Sequence, residues 1–292
     1  MKVNVFDIVN NVEQDELDAG RLQEFYDIEV TSSSTVTLPD SFSSEVREDM
    51  VRRAVASSRA NRRQTYGSRP HQGKRRPMAG MKLSVEWWGK GRGVSRIMRR
   101  TGSRRAAQNP HTQGGRRAHG PKVEKDWTRK LNSKERTLAR NSALAATVCI
   151  DTVSNRGHQF AEEIETFPIV IGDYSEKGNG SKGKVNIEQL AAKGGTRKVA
   201  AILESLGLGA DLHRAKSGRK IRAGRGTMRG RVHKTPKSVL LVVAEKAGLA
   251  HAAGNLPGVD VVAAKDLCAE DLAPGGDVGR LTVFTKSAME AL

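Results

Sequence analysis

The sequence predicts an α/β fold: a mostly parallel sheet covered by helices on both faces, with a long extended basic loop inserted between two helices. Three observations carry that prediction. Short apolar, β-branched runs alternate with stretches of helical period. Two helical stretches bracket a segment poor in large apolar side chains. Most of the positive charge gathers in that segment and in one shorter one. No internal repeat is present.

Taken in order, Val3-Asn4-Val5-Phe6 alternates and reads as a first strand. Residues 10–30 are acidic, lack periodicity and read as a surface loop. Thr35 to Leu38 reads as a second strand, and Pro39-Asp40-Ser41 as a turn. A helix is expected from about Ser44 to Ala60, with Val46, Met50, Val51, Ala54 and Val55 on one face. After the basic segment, Ser133 is a plausible N-cap for a helix reaching about Val153. Leu138, Ser142, Ala145 and Cys149 form its expected buried stripe, small enough for close packing. Phe167 to Ile171 reads as a buried strand ended by Gly172-Asp173. A helix lies within Val185 to Leu206, with Ile187, Leu190, Val199, Ile202, Leu203 and Leu206 apolar and Gly194-Gly195 interrupting it. Ser238 to Val243 is the clearest strand, and Val259 to Val262 and Arg280 to Thr285 are two more. Short helices fit around Ala244–Ala250, Ala264–Leu267 and Ser287–Leu292.

The charge is unevenly placed. The chain has 292 residues and a net charge of +18. Residues 59–130 alone hold 21 Lys/Arg against Glu86, Glu124 and Asp126. Residues 212–237 hold 10 Lys/Arg and no acid, and the remainder is acidic, 19 basic residues against 29. The sequence therefore divides into a globular α/β body (1–58 and 131–292), an extended RNA-binding arm (59–130) and a second basic RNA-binding segment within the body (212–237). A charge run is usually a solvated face. Here the density of like charge, 10 Gly, 4 Pro and the absence of Phe leave too little apolar surface to offset ordering entropy. Such a segment is expected to be disordered or ordered by a partner.

Its composition points to RNA. Arg exceeds Lys by 15 to 6, and an Arg fork pairs with phosphate and stacks on bases. The expected arm contacts are Arg62, Arg63, Arg69, Lys74, Arg75, Arg76, Lys82, Lys90, Arg92, Arg96, Arg99, Arg100, Arg104, Arg105, Arg116, Arg117, His119 and Lys122. In the second segment they are Lys220, Arg222, Arg225, Arg229 and Arg231. Trp87, Trp88 and Trp127 all lie in the arm with Tyr66, where no core is expected to surround them. They suit base stacking; the alternative is that Trp87 and Trp88 pack on each other or on a partner protein.

Enzymatic readings are weaker. Gly178-Asn179-Gly180-Ser181-Lys182-Gly183-Lys184 nearly matches a phosphate-binding loop, expected between a strand and a helix, but Val185 stands where a magnesium-binding Ser/Thr belongs. Gly89-Lys90-Gly91-Arg92-Gly93 lacks the third glycine of a dinucleotide fingerprint, because Arg96 stands there. His111 and His119 have no Cys partners for zinc. No Ser-His-Asp or paired-carboxylate set can be argued. Cys149 and Cys268 read as small buried hydrophobes in a reducing compartment. No signal peptide or membrane span is expected, so the protein reads as cytosolic, without a cofactor of its own beyond magnesium ions accompanying RNA.

Three stretches carry a family resemblance. Arg69-Pro70-His71-Gln72-Gly73-Lys74-Arg75-Arg76-Pro77, Trp87-Trp88-Gly89-Lys90-Gly91-Arg92-Gly93 and Gly114-Gly115-Arg116-Arg117-Ala118-His119-Gly120-Pro121 resemble the arm of the ribosomal protein L-four family, in its archaeal and eukaryotic branch. Arg52 to Gln64 and Lys220 to Arg231 are similar to that branch as well. The end at Leu292, without a long basic extension, favours the archaeal side. The resemblance implies a structural constituent of the large ribosomal subunit that binds large-subunit rRNA and supports assembly. It implies an arm that reaches the nascent-peptide exit tunnel, with Trp87, Trp88, Gly89, Gly91 and Gly93 at or near its tip. There a neighbouring ribosomal protein completes a constriction and the nascent peptide passes. The alternatives are a free regulator that binds messenger RNA and a nucleotide-binding enzyme working through residues 178–184.

Overall fold

The computed structural model describes residues 1–10, 28–67, 85–107, 109–113, 118–164, 166–176, 185–189, 195–246 and 248–292. The chain divides into two compact units, 1–58 with 130–292, and 59–129.

The first unit opens with β1 (Lys2–Asn10) and β2 (Ile28–Thr37), an antiparallel pair, followed by α1 (Glu48–Asn61), whose last residues enter the second unit. The second unit contributes β3 (Val85–Trp87) and β4 (Met98–Arg100). The first unit resumes with α2 (Ser133–Val148), α3 (Ile150–Asn155), β5 (Ile169–Glu176) and β6 (Val185–Asn186). Then come α4 (Gly195–Ser205), α5 (Gly209–Ser217), β7 (Lys220–Ile221), β8 (His233–Lys234) and β9 (Leu240–Val243). The chain finishes with α6 (Gly248–Ala253), β10 (Asp260–Ala263), α7 (Ala269–Leu272), β11 (Thr282–Thr285) and α8 (Lys286–Glu290).

Seven strands form one sheet in the order β10-β9-β11-β5-β1-β2, with β6 also paired to β5. The joins from β10 through β1 are parallel; β2 and β6 are antiparallel additions. Every residue of β9 and β11 is buried, as a strand flanked on both sides requires. Alternate strand residues feed two apolar clusters. Ile169, Ile171, Leu241, Val243 and Val283 join Val199, Ile202 and Leu203 of α4, Leu212 of α5 and Leu249 of α6. Val170, Leu240, Val242 and Phe284 join Val51 and Val55 of α1, Ala143 and Leu144 of α2, and Leu272 of α7.

The two helices that bracket the basic segment meet directly. Met50 and Ala54 of α1 cluster with Ala139 of α2, and Ser142 donates to the Glu45 carbonyl at 2.8 Å. The small side chains of α2 permit that approach.

Several expectations need correction. Val46 precedes α1 and is 40% exposed, while Leu138 lies on the outer side of α2 at 38%. Ser142 and Ala145 are buried as expected, and Ala139, Ala143, Leu144 and Ala146 join them on the inner side of α2. The helix breaks at Cys149, whose ψ of 114° leaves the helical region. Both cysteines are exposed, not buried, because Cys149 occupies that break and Cys268 the start of α7. Pro39-Asp40-Ser41 leads into a 3-10 helix, Asp40–Ser43, rather than a simple turn. Strand β5 runs on past Gly172-Asp173 to Glu176, and residues 28–30, expected as loop, begin β2. Residues 11–27 lie outside the described residues.

The phosphate-loop match at 178–184 also lies outside the described residues. The next element is not the expected helix. Val185–Asn186 is a strand antiparallel to β5, opposite Asp173 and Tyr174. A helix N-terminus, which such a loop needs for its phosphates, does not come directly after it.

Candidate nucleic-acid interface

In the arm, β3 and β4 pair antiparallel, with Glu86 opposite Arg99 and Trp87 opposite Met98. The connecting turn places Gly91 at φ 84° and Gly93 at φ 66°, left-handed values that a side chain would strain. Lys90, Arg92 and Arg96 are exposed on and beside this turn, and Trp87 is 64% exposed. Trp88 is held instead. Its indole N–H donates to Glu86 Oε1 at 2.6 Å, and the Arg92 guanidinium lies 4.7 Å from its ring centre.

Arg99 is turned inward. It is buried, donates to the Ser95 carbonyl (3.1 Å) and hydroxyl (3.0 Å), and also donates to the Arg104 carbonyl. Its head group ties the loop to the hairpin. Arg100 is half-buried, and Arg104, Arg105, His119 and Lys122 are exposed. Arg69, Lys74, Arg75, Arg76, Lys82, Arg116 and Arg117 lie outside the described residues.

At the root of the arm, Tyr66 and Trp127 stack at 5.4 Å with 19° between their planes. Arg63 covers the pair, 4.1 Å from the Trp127 ring centre and 5.4 Å from that of Tyr66. Composition predicts no packing for Trp127 within the chain itself. The structure supplies this stack, formed by residues 61 positions apart in sequence, which only the return of the chain brings together.

In the body, Lys220–Ile221 and His233–Lys234 make a second hairpin. Lys220, Arg222, Arg225, Arg229 and Arg231 are all exposed on it. A 3-10 turn at Thr227–Arg229 and Gly230 at φ 77° close its end, leaving Met228 83% exposed.

The base of this hairpin is clamped by a buried polar network with no local signature in the sequence. Asp211 is fully buried and accepts from Arg214 Nε at 2.8 Å, Ser238 Oγ at 2.5 Å and the Gln159 amide at 3.1 Å. His158 Nδ1 lies 3.1 Å from the same carboxylate. Burial alone would raise the Asp211 carboxyl. The hydrogen bonds from His158, Arg214 and Ser238 outweigh it and hold the group well below the usual carboxylate range. Arg214 also donates to the Lys237 carbonyl at 2.8 Å. Arg280, 1% exposed, donates to the Ser238 carbonyl at 3.0 Å and to Asp260 Oδ2 at 2.6 Å. Lys237 pairs with Asp260 from the other side at 2.7 Å.

His158, Asp211 and Ser238 thus stand together, yet they cannot act as a nucleophilic triad. The serine hydroxyl donates to the aspartate and not to the histidine, and all three residues are buried from substrate. Among the described residues, no group of three or more His, Cys, Asp or Glu could hold a metal ion, and no helix is long and apolar enough to cross a membrane.

The profile of the ribosomal protein L4/L1 family matches residues 36–292. A large ribosomal subunit protein uL4 from Methanopyrus kandleri is 43% identical over 272 residues, covering 91% of this chain and 96% of the relative. Its counterpart in Methanococcoides burtonii is 44% identical, covering 90% and 94%. That of Halobacterium salinarum is 42% identical, covering 90% and 96%. The chain therefore belongs to the ribosomal protein L4/L1 family, in its archaeal branch.

Proposed function

We propose that this protein is a structural, non-enzymatic constituent of the large ribosomal subunit in the cytoplasm, binding large-subunit rRNA through two basic segments. The observation that carries the reading is the placement of the cations. Lys90, Arg92 and Arg96 on one hairpin, and Lys220, Arg222, Arg225, Arg229 and Arg231 on the other, project into solvent from ordered backbone. Cations carried on turns closed by strand pairs lose less entropy on meeting phosphates than cations on a free chain. The clamp of Asp211, Arg214 and Arg280 supports the body hairpin and leaves its arginines for the partner.

The family resemblance extends this to finer features. The sheet is covered by helices on both faces, residues 1–58 and 131–292 form the body, and 59–130 form an extended loop serving as the arm. Its tip, Trp87 to Gly93, lines the exit tunnel beside a neighbouring ribosomal protein and meets the nascent peptide. At about 3.3 Å per extended residue, some 30 residues out and back span several tens of ångströms.

Sedimentation through a high-salt gradient tests the proposal. The protein should travel with large subunits. Recovery mainly in the soluble fraction would favour a free RNA-binding regulator.

A further inference from the structure

We infer that the root of the arm carries a binding cleft for a single unpaired RNA nucleotide, distinct from the tip. The inference deepens the rRNA-binding reading and rests on it. A cleft of about 720 Å³ opens between Tyr66, Trp127 and the segment Ala118 to Lys122. That volume suits one nucleotide-sized ligand.

The cleft is built rather than incidental. Gly67 lies so close to the backbone of Lys122 and Val123 that an added Cβ would come within 2.7 Å of the Val123 nitrogen. The two chains of the arm are therefore pressed together at this point. Asn61 Oδ1 accepts from the Arg129 amide at 3.0 Å, and Asp126 Oδ1 accepts from the Thr128 amide at 2.8 Å, fixing the segment that carries Trp127.

The chemistry is that of base and phosphate together. Tyr66 stays 49% exposed although Trp127 stacks on it and Arg63 lies 5.4 Å from its ring centre, leaving part of its aromatic surface for a further ring. Lys125 Nζ lies 4.8 Å from the Trp127 ring centre, and Lys122 and His119 line the opposite wall. Glu124 and Asp126 are the carboxylates nearest in sequence, and Asp126 is engaged with Thr128. A paired base in a duplex hides its faces, so the cleft selects a base out of the stack.

The test uses the full-length protein and deproteinised large-subunit rRNA from its own source cells. Tyr66→Phe keeps the ring and should bind within about twofold of the parent. Tyr66→Leu keeps apolar bulk against Trp127 but removes the aromatic face, and should weaken binding about 5- to 150-fold, the effect of losing one base stack. Ultraviolet cross-linking of the parent complex should place a nucleotide on the peptides bearing Tyr66 or Trp127. Full affinity in Tyr66→Leu, or tight binding with cross-links confined to other peptides, overturns the cleft and leaves rRNA binding standing. Failure of the parent protein to bind rRNA overturns both.

Discussion

The two basic hairpins look alike in sequence, each an Arg/Gly stretch poor in acids, but they are secured by different means. The body hairpin is fastened at its base by a network of charges, buried Asp211 and Arg280 with half-buried Arg214 and Asp260. None of those is among its displayed cations. The arm hairpin has no such foundation among its described residues. It uses one of its own arginines, Arg99, as an internal tie. Composition alone makes Arg99 and Arg96 equivalent, whereas the structure buries one and exposes the other. A basic run therefore gives a partner's charge but not which cations face it.

The contrast can be broken most severely at Arg280. Removing a buried cation leaves the Ser238 and Asp271 carbonyls and Asp260 short of a donor. Arg280→Ala should cost about 3–5 kcal/mol, visible as a fall of roughly 10 °C or more in the melting temperature of the body. Asp211→Asn comes next, at about 2–4 kcal/mol near neutral pH. Its sign with pH is definite. Asp211 is held below its unfolded value, so its contribution is complete above about pH 4 and drains away as pH falls through the folded value. The gap in stability between parent and variant should narrow steadily on acidification below about pH 4, as followed by chemical denaturation.

Arg99→Ala should behave in the opposite way to those two. Body melting should stay within about 1 °C, while amide exchange in β3 and β4 rises, since the hydrogen bonds removed are local to the arm. A body that melts markedly lower would show that the arm's order and the body's are not separable. Smaller still is the contrast between the thiols. Although Cys268 is exposed as a residue, partial desolvation of its sulfur and the hydrogen bond to Asp271 push its thiol up to about 11. Cys149 should therefore react faster than Cys268 with a maleimide at about pH 8, and the difference should shrink as pH approaches about 11.

Much of the body is legible because its signals are local. Leu240-Leu241-Val242-Val243 is apolar at every position, and a strand buried on both faces is the economical reading of so short a run. Met50, Val51, Ala54 and Val55 repeat at helical spacing and are all buried. The failures have equally specific causes. Apolar residues run on through Val148, Ile150 and Val153 after the helix has stopped, so the apolar pattern does not mark the break at Cys149. The helix Gly209–Ser217 is hidden because its Arg214 and Lys216 read as the start of a charge run. At the interface, the exposed cations of Lys220 to Arg231 are expected from charge alone. The clamp beneath them is not. His158 and Asp211 are 53 positions apart, and Asp211 and Ser238 27. Only the folded sheet brings them together.

On the proposed reading, RNA affinity resides in two basic segments and the body folds without the longer one. Deletion of residues 65–125, joined by a short Gly/Ser linker, puts both halves of that statement at risk when melting and large-subunit rRNA binding are measured on the same preparation. A cooperative melt within a few degrees of the parent is predicted, together with weaker rRNA binding. The salt dependence should also become shallower, by about 0.7–0.9 in the log–log slope for each phosphate no longer engaged. A truncated protein that fails to fold, or one that binds rRNA as tightly and with the same salt dependence as the parent, would contradict it.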